Sequence, residues 1–402
     1  MMRISSNTIY DSNVAAVNQQ QARLLQTQQQ ISSGRRILTA SDDPVAATRA
    51  LEISQADATN TQYALNRESA RNSLSLAEGT LQAVTSLIQD VRDATIVAGN
   101  SSLDSNGRKA IATDLNARLQ ELVGLANGTD GLGNYLFAGF QSRTKPFVDT
   151  ATVVGFFGDD GQHLVQVAAN RQMSTSDSGA DVFMRIKNGN GTFATQAAAA
   201  NIGTGTISQG SVTNPAALVA GNSYSIVFSV VAGVTSYTVT GAPTPLAPAM
   251  AGIPYVSGQA ISFDGMQIDI KGAPANGDTF TVAPSANESV FTTISDLINA
   301  LNAPVVGANL TNSLSHGLNQ LDNALNNVLT TRATLGLRLN ELDALQTAGE
   351  DMGLQLKQTL SNLQDVNYTQ AASDLARQQT NLQAALLSFS RVSGLSLFDY
   401  IK

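Results

Sequence analysis

The chain of 402 residues contains no cysteine, which excludes disulfides, thiolate metal sites and a cysteine nucleophile. Charged residues make up 13% and aromatic residues 5%. The remainder leans on Ala, Leu, Val, Ser, Thr, Asn, Gln and Gly, a mixture that suits long helices combined with a turn-rich β region. No stretch reaches the ~18 apolar residues of a membrane span. The start, Met1-Met2-Arg3-Ile4-Ser5-Ser6-Asn7, has one basic residue with no apolar run behind it, so no secretory signal peptide is recognisable and composition alone reads as cytosolic. Basic residues are outnumbered 23 to 31, for a net charge of −8. A chain of that sign repels phosphate backbones, which argues against a nucleic-acid partner. The length suits two or three domains, each with its own core.

The clearest positive signal is a heptad seam between Pro44 and Gly99. Ile53, Ala56, Tyr63, Ala70, Leu74, Ala77, Leu81, Val84, Ile88, Val91, Thr95 and Ala98 follow steps of three and four, which predicts a coiled-coil helix. Asp43-Pro44 marks its start: Asp43 accepts from free first-turn amides, and Pro44 has its φ set for the first turn. A helix of that length runs on the order of 80 Å. After Asp104-Ser105-Asn106-Gly107, a second helix places Ile111, Leu115, Leu119, Leu122 and Leu125 on one face. The short turn implies an antiparallel return. Leu314, Leu318, Leu321, Leu325, Val328, Leu335, Leu339 and Leu342, then Leu356, Leu360 and Leu363, repeat the pattern, and the three helices are expected to form one bundle.

Past Leu363 the repeat changes phase. Tyr368, Leu375, Leu382 and Phe389 recur every seven residues, as do Tyr10, Val17, Leu24 and Ile31 at the other end. The complementary N-terminal seam positions read as Gln21 and Gln28. Half an apolar seam offers too little buried area to offset ordering entropy, so both ends are expected to be poorly ordered until they meet partners. Ser32-Ser33-Gly34 and the run to Asp43 read as a linker.

From Phe140 to Ala283 the period becomes two. One hairpin is predicted from Val153-Val154 and Phe156-Phe157 through Gly158-Asp159-Asp160-Gly161 to His163–Val167. A second joins Tyr224–Val230 to Ser236–Thr240 through Ala232-Gly233. A third joins Ala260–Phe263 to Met266–Ile270 through Asp264-Gly265. The fold class is therefore α+β, an elongated antiparallel coiled-coil frame from both chain ends with a β-rich module inserted in the middle. Five segments are expected: 1–33, 34–139, 140–285, 286–366 as a return helix, and 367–402.

Ile31 to Ala47, ISSGRRILTASDDPVAA, resembles the end of the N-terminal helix and the linker of bacterial flagellins and their relatives, and Leu363 to Phe389 resembles the matching C-terminal helix. The acidic pair followed by Pro44 and the run NGTDGLGNYLFAG, Asn127 to Gly139, is similar to the hook-associated branch of that superfamily. So are SGADVF from Ser178, Ile261 to Pro284, and SLFDYI from Ser396. Thr192 to Gly258 matches nothing in the pattern. The resemblance implies an extracellular subunit at the junction of flagellar hook and filament, exported through the flagellar type III route without a cleaved leader, which reverses the cytosolic reading. It implies further copies of the chain in a ring as partners, with a hook-associated protein on one side and flagellin on the other. An export chaperone is implied at the C-terminal helix. A filament-forming flagellin, or an adhesin-like module on a flagellar scaffold, is the alternative.

The subunit-contact residues expected on this basis are Tyr10, Val17, Leu24, Ile31, Tyr368, Leu375, Leu382, Leu386 and Phe389. Arg92 resembles a rod-surface arginine that contributes to subunit contact, and it also reads as a solvated charge. Asp42 and Asp43 read as a cap rather than an acid–base pair. Asp159-Asp160 reads as a turn rather than a calcium site, since two adjacent ligands fall short of the ~6 oxygens that calcium needs. His163 and His316 fall in different modules. Gly189-Asn190-Gly191 lacks the Lys-Ser/Thr of a nucleotide loop. No enzyme activity, metal or cofactor is expected, and no membrane partner.

Overall fold

The computed structural model describes residues 6–150, 153–304 and 307–394; the SLFDYI motif lies outside them. Among the described residues, six α-helices frame the chain: α1 (Ser6–Ser33), α2 (Pro44–Ala98), α3 (Ser105–Ala126), α4 (Val290–Asn302), α5 (Ala308–Gln364) and α6 (Tyr368–Gly394), with the strands between α3 and α4. The α+β reading therefore holds, with a helical frame supplied by both ends of the chain and β structure in the middle. The chain forms two compact units, Met1–Leu65 with Ala344–Lys402, and Asn66–Asp343.

In the second unit, Ala70, Leu74, Ala77, Leu81, Val84, Ile88, Val91, Thr95 and Ala98 of α2 are all buried. They are joined by Ala112, Leu115, Leu119, Leu122 and Ala126 of α3 and by Leu314, Leu321, Val328, Leu335 and Leu342 of α5. Each fully buried leucine or valine contributes about 1.5–3 kcal/mol over an exposed one. Ion pairs fix the register. Arg71 meets Asp343, Arg332 meets Glu78 at 2.7 Å and Arg92 meets Asp322 at 2.7 Å. Numbers rising along α2 against numbers falling along α5 make the pair antiparallel. Arg118 of α3 reaches Asp90 of α2 at 2.8 Å.

The stretch 286–366 holds two helices where one return helix was expected. Ala303, forced toward extended backbone by Pro304, closes α4 with ψ at 142° because a residue before proline is biased away from helical ψ. Ser289 caps α4 through the amides of Phe291 and Thr292, and Val290, Phe291, Ile294, Leu297 and Leu301 are buried. α4 packs beside α3.

The strands fall into small antiparallel sheets. β1 (Phe147–Thr150) pairs with β2 (Val153–Phe156), and β3 (Leu164–Ala168) pairs with β4 (Arg171–Ser174). The hairpin expected from Val153 to Val167 is thus wrong: its two arms belong to different hairpins. The cause is Asp159, whose carboxylate accepts from the amides of Phe140 at 2.8 Å and Gly161 at 2.7 Å. The segment is sewn to the loop before it and cannot fold back as a turn. β5 (Ile186–Lys187) pairs with β15 (Asn287–Glu288).

The largest sheet contains β6 (Phe193–Ala197), β9 (Ser223–Val231), β10 (Val234–Ala242), β11 (Met250–Pro254) and β14 (Thr279–Pro284), in the order β11-β10-β9-β14-β6. Beside it, β12 (Ala260–Phe263), β13 (Met266–Lys271) and β7 (Thr206–Ile207) form a second sheet, with β8 (Ser211–Val212) also on β13. The hairpins expected at Ala232-Gly233 and Asp264-Gly265 are both present. All four turn residues have positive φ, at 51°, 80°, 42° and 77°, the backbone that matches the twist of two-residue hairpins. Tyr224, Ile226, Phe228, Tyr237, Val239, Phe280 and Val282 bury one face of the large sheet together with Ile261, Phe263 and Ile268. A separate aromatic cluster joins Phe137, Phe147, Phe183 and Phe291, with Phe137 edge-on to Phe183 at 5.5 Å.

Candidate assembly surface

The first unit is built from the linker upward. Asp43 stands at the N-cap of α2 and its Oδ1 accepts from the amide of Ala46 at 3.0 Å, with Pro44 as the first helical residue. Asp42 accepts from the amides of Leu38 and Thr39 at 3.0 and 2.9 Å, and from the Gln26 side chain of α1 at 3.2 Å. The amides of Thr39 and Leu38 hold its carboxyl below the usual carboxylate value. Asp43 therefore caps α2, whereas Asp42, read with it as a cap, organises the linker before the helix instead. Arg36 ties the linker to the far end of the chain: its amide donates to Gln364 O at 2.6 Å and its guanidinium to Leu363 O at 2.8 Å. Val366 N returns a hydrogen bond to Gly34 O at 2.9 Å. Gly34 is left-handed (φ 72°), and an added Cβ there would press on the Tyr368 hydroxyl.

That knot sets α1 antiparallel to α6. Tyr10, near the start of α1, stacks on Phe389, near the end of α6, at 5.3 Å between ring centroids. The less exposed side chains of α6 include Ala371, Leu375, Gln378, Leu382, Ala385 and Phe389, alternating steps of four and three, with Asp374 beside Leu375. On α1 they include Asn13, Val17, Gln20, Leu24, Thr27 and Ile31. The expected positions Val17, Leu24, Ile31, Leu375, Leu382 and Phe389 therefore share one seam. Gln21 and Gln28, expected as the complementary positions, are exposed; Asn13, Gln20 and Thr27 occupy that place. The 3.6-residue turn puts steps of three and of four on one face alike, so the period alone did not choose between the two sets.

The identity of the facing residues matters more than the register. Half of the α1 seam is amide or hydroxyl, and on α6 the seam alternates Leu or Phe with Ala or Gln. Gln378 Oε1 is buried without a hydrogen-bond partner, an atom that costs about 1–3 kcal/mol. Large apolar side chains nevertheless remain uncovered: Tyr10, Leu25, Tyr368, Leu386 and Leu387 are exposed, as are Val45, Leu51, Met352 and Leu354 on the parts of α2 and α5 that belong to the same unit. Leu386 falls outside the seam. Large apolar side chains left exposed on one helix pair make it the candidate interaction surface.

Arg92 is neither a lone solvated charge nor unengaged: its Nε donates to Asp322 of α5, with both side chains partly exposed. Sequence reading also missed how the β strands are fastened to the helices of their unit. The side chain of Asn323 donates to the carbonyls of Lys187 and Gly189, Asn327 to those of Asp181 and Val182, and Asn312 to that of Gly205. Arg338 grips Asp177 through two hydrogen bonds of 2.9 and 3.0 Å. The available signal was the asparagines interrupting the leucine pattern of α5.

Other chemistry is sparse. Glu288 and His316 lie 3.8 Å apart beside a cavity of about 470 Å³ between β6, α4 and α5. Burial pushes the Glu288 carboxyl up, yet the nearby His316 and the hydrogen bond from the Thr293 hydroxyl outweigh it and hold the group below its ordinary value. Thr293 and Gln320 complete its shell, so Glu288 fastens α4, α5 and β15 together. Among the described residues no group of three or more His, Cys, Asp or Glu is placed to hold a metal, and no helix is long and apolar enough to cross a membrane.

A frame drawn from both chain ends, a β-rich insertion and a terminal helix pair with an incomplete seam define a flagellin-type assembly subunit. Comparison with known proteins agrees. Residues 4–142 match the bacterial flagellin N-terminal helical region. The flagellar hook-associated protein 3 of Salmonella typhimurium is 31% identical over 403 residues, covering 99% of this chain and 99% of that protein. The crystal structure of hook-associated protein 3 from Legionella pneumophila is 33% identical with a TM-score of 0.74, covering 77% of this chain and 98% of that one. FlgL of Xanthomonas campestris is 32% identical with a TM-score of 0.70, covering 77% and 99%. The chain belongs to the flagellar hook-associated protein 3 family, a family of structural components of the flagellum.

Proposed function

We propose that this chain is a structural adaptor, not an enzyme, at the junction between flagellar hook and filament. Its terminal helices, residues 1–33 and 367–402, form the inner wall of a ring of copies. The rod segments 34–139 and 286–366 surround them, and the module 140–285 faces outward. A hook-associated protein lies on one side of the ring and flagellin on the other. The observation that supports this most is the α1/α6 pair. Its seam mixes leucine with Gln20, Thr27 and Gln378, it leaves Gln378 Oε1 unpartnered, and it turns Leu25, Leu386 and Leu387 outward. Such a pair gains more from neighbours than from itself, so it orders on assembly, and the exported chain does not polymerise early. Export proceeds through the flagellar type III route, with a chaperone covering the apolar face that contains Leu382, Leu386 and Phe389. Arg92, beyond its bond to Asp322, contributes to contact between rods.

Deleting the gene in a motile cell tests the reading: hooks persist without filaments, and flagellin accumulates in the medium. Filaments of normal length on the mutant's hooks are the result that sinks it. Changing Leu382, Leu386 and Phe389 to Ser tests the chaperone contact by loss of binding. A purified chain that extends into long filaments from seeds, rather than stopping at one layer, points instead to a filament subunit.

A further inference from the structure

The cavity between β6, α4 and α5, about 470 Å³ in volume, lies wholly within the second unit. Pockets that take small molecules span roughly 300–1,000 Å³. Ala198, Leu297 and Ala300 give it an aliphatic wall. The ionisable side chains that line it are Glu288, Asp296 and His316, and neither Lys nor Arg is among the lining residues. Glu288 Oε1 accepts from the Thr293 hydroxyl at 2.9 Å, and Oε2 accepts from the side chains of Gln320 at 2.9 Å and Asn188 at 3.4 Å. A carboxylate offers about four acceptor positions, so one on Oε1 stays open. Asp296 stands exposed at the rim and, among the described residues, accepts no hydrogen bond and forms no ion pair. Burial and then the charge of Glu288 push its carboxyl up, with His316 opposing them. The two carboxylates thus face one cavity and repel one another, and no cationic side chain of the wall offsets them.

We infer that this cavity binds an alkylammonium group, the cation set between Asp296 and Glu288 and the alkyl chain along the alanine wall. An ammonium carries three donors and no acceptor, which suits carboxylates with open acceptor positions. It also turns their mutual repulsion into attraction toward a shared cation. An anion is repelled by both carboxylates, and a neutral molecule leaves the repulsion as it is. A hydrated inorganic cation gains nothing from the aliphatic wall, and no group of three or more His, Cys, Asp or Glu among the described residues is placed to hold a metal. Because the cavity touches β6, α4 and α5 at once, an amine seated there stabilises the joint between strands and helices by mass action. Free amines and lysine side chains of another protein share this chemistry, and the test separates them. The inference does not rest on the role of the terminal helices.

Ligand-observed NMR on the full-length chain tests this with pentylamine, and with pentanol and pentanoate as neutral and anionic probes of the same length. Pentylamine is expected to bind with a dissociation constant of about 1 mM, well inside the ceiling for so small a ligand, and the other two are not. Asp296→Asn weakens binding by about tenfold, the low end for a hydrogen bond to a charged group. Asp351→Asn removes the same charge from an exposed position on α5 and leaves binding unchanged, which separates the cavity from general attraction to an acidic chain. Ala300→Leu fills the cavity, keeps both carboxylates and abolishes binding. Thermal unfolding of the free Asp296→Asn protein keeps or raises the wild-type midpoint, so its lost affinity is not a lost fold. Nα-acetyl-lysine amide binding alongside pentylamine shows a site open to free amines and side chains alike, and its binding alone assigns the site to a lysine of another protein. Equal binding of pentylamine and pentanol overturns the inference, as do equal losses in Asp296→Asn and Asp351→Asn, binding that survives Ala300→Leu, or failure of both amines to bind.

Discussion

Two sets of helices in this chain share a seven-residue repeat and differ in what fills it. Along α2, α3 and α5 in the second unit, the seam is Leu, Val, Ile and Ala, and almost all of it is buried. Along α1 and α6, only Thr27 and Ala371 are buried among the described residues, and the seam alternates apolar residues with Asn, Gln and Thr on α1 and larger apolar residues with Ala and Gln on α6. The same geometry therefore yields a bundle that holds itself in one place and, in the other, a pair whose exposed leucines exceed its buried ones. The heptad period specifies which residues meet; their hydrophobic area decides whether the meeting suffices.

Breaking the strong side gives the largest effect. Leu81→Ala or Leu115→Ala, each at a fully buried position, is expected to cost about 2–5 kcal/mol, read by denaturant unfolding of the full chain. Leu382→Ala on the weak side is expected to change that stability by less than about 1 kcal/mol while abolishing assembly onto hooks. A loss of stability as large as that of Leu81→Ala would erase the distinction between the two seams. Gln20→Leu with Gln378→Leu sharpens it in the other direction. The apolar pair removes the orphaned amide oxygen, slows hydrogen exchange in α1 and α6, and promotes self-association before export.

Asp43→Ala removes the α2 cap and is expected to cost about 1 kcal/mol, with earlier exchange of the first-turn amides as its signature. The smallest effect is that of pH on the linker. Asp42 is held below its ordinary value by the amides of Thr39 and Leu38. Its contribution is therefore complete above the ordinary carboxylate range and fades as pH falls through the folded value. Protection of those two amides is expected to drop on acidification in the wild type and to be absent at every pH in Asp42→Ala, which has no side-chain acceptor.

Much of this was legible in the residues. The seam of α2, its Asp43-Pro44 start and the hairpins at Ala232-Gly233 and Asp264-Gly265 all rest on local chemistry: a cap, a fixed φ, two turn residues with positive φ. The misreadings have a common cause. The expected Val153–Val167 hairpin failed because Asp159 bonds to the amide of Phe140, and no periodicity announces such a bond. Gln21 and Gln28 were chosen by counting four where the structure uses three, a choice the helix period leaves open. The asparagines of α5 looked like polar exceptions until Asn312, Asn323 and Asn327 were seen holding the carbonyls of the β region. α4 was hidden within a longer helical reading, although Pro304 was there to end it.

The sequence by itself determined the periods, the caps, the turns and the placing of charge, because each depends on residues a few positions apart. Only the tertiary structure decided which strands pair and where Arg92 finds its carboxylate. It alone set Ala198 against Glu288, Asp296 and His316 around one cavity. Those outcomes depend on residues far apart in the chain, and they are selected by packing and hydrogen-bond satisfaction that no local pattern records.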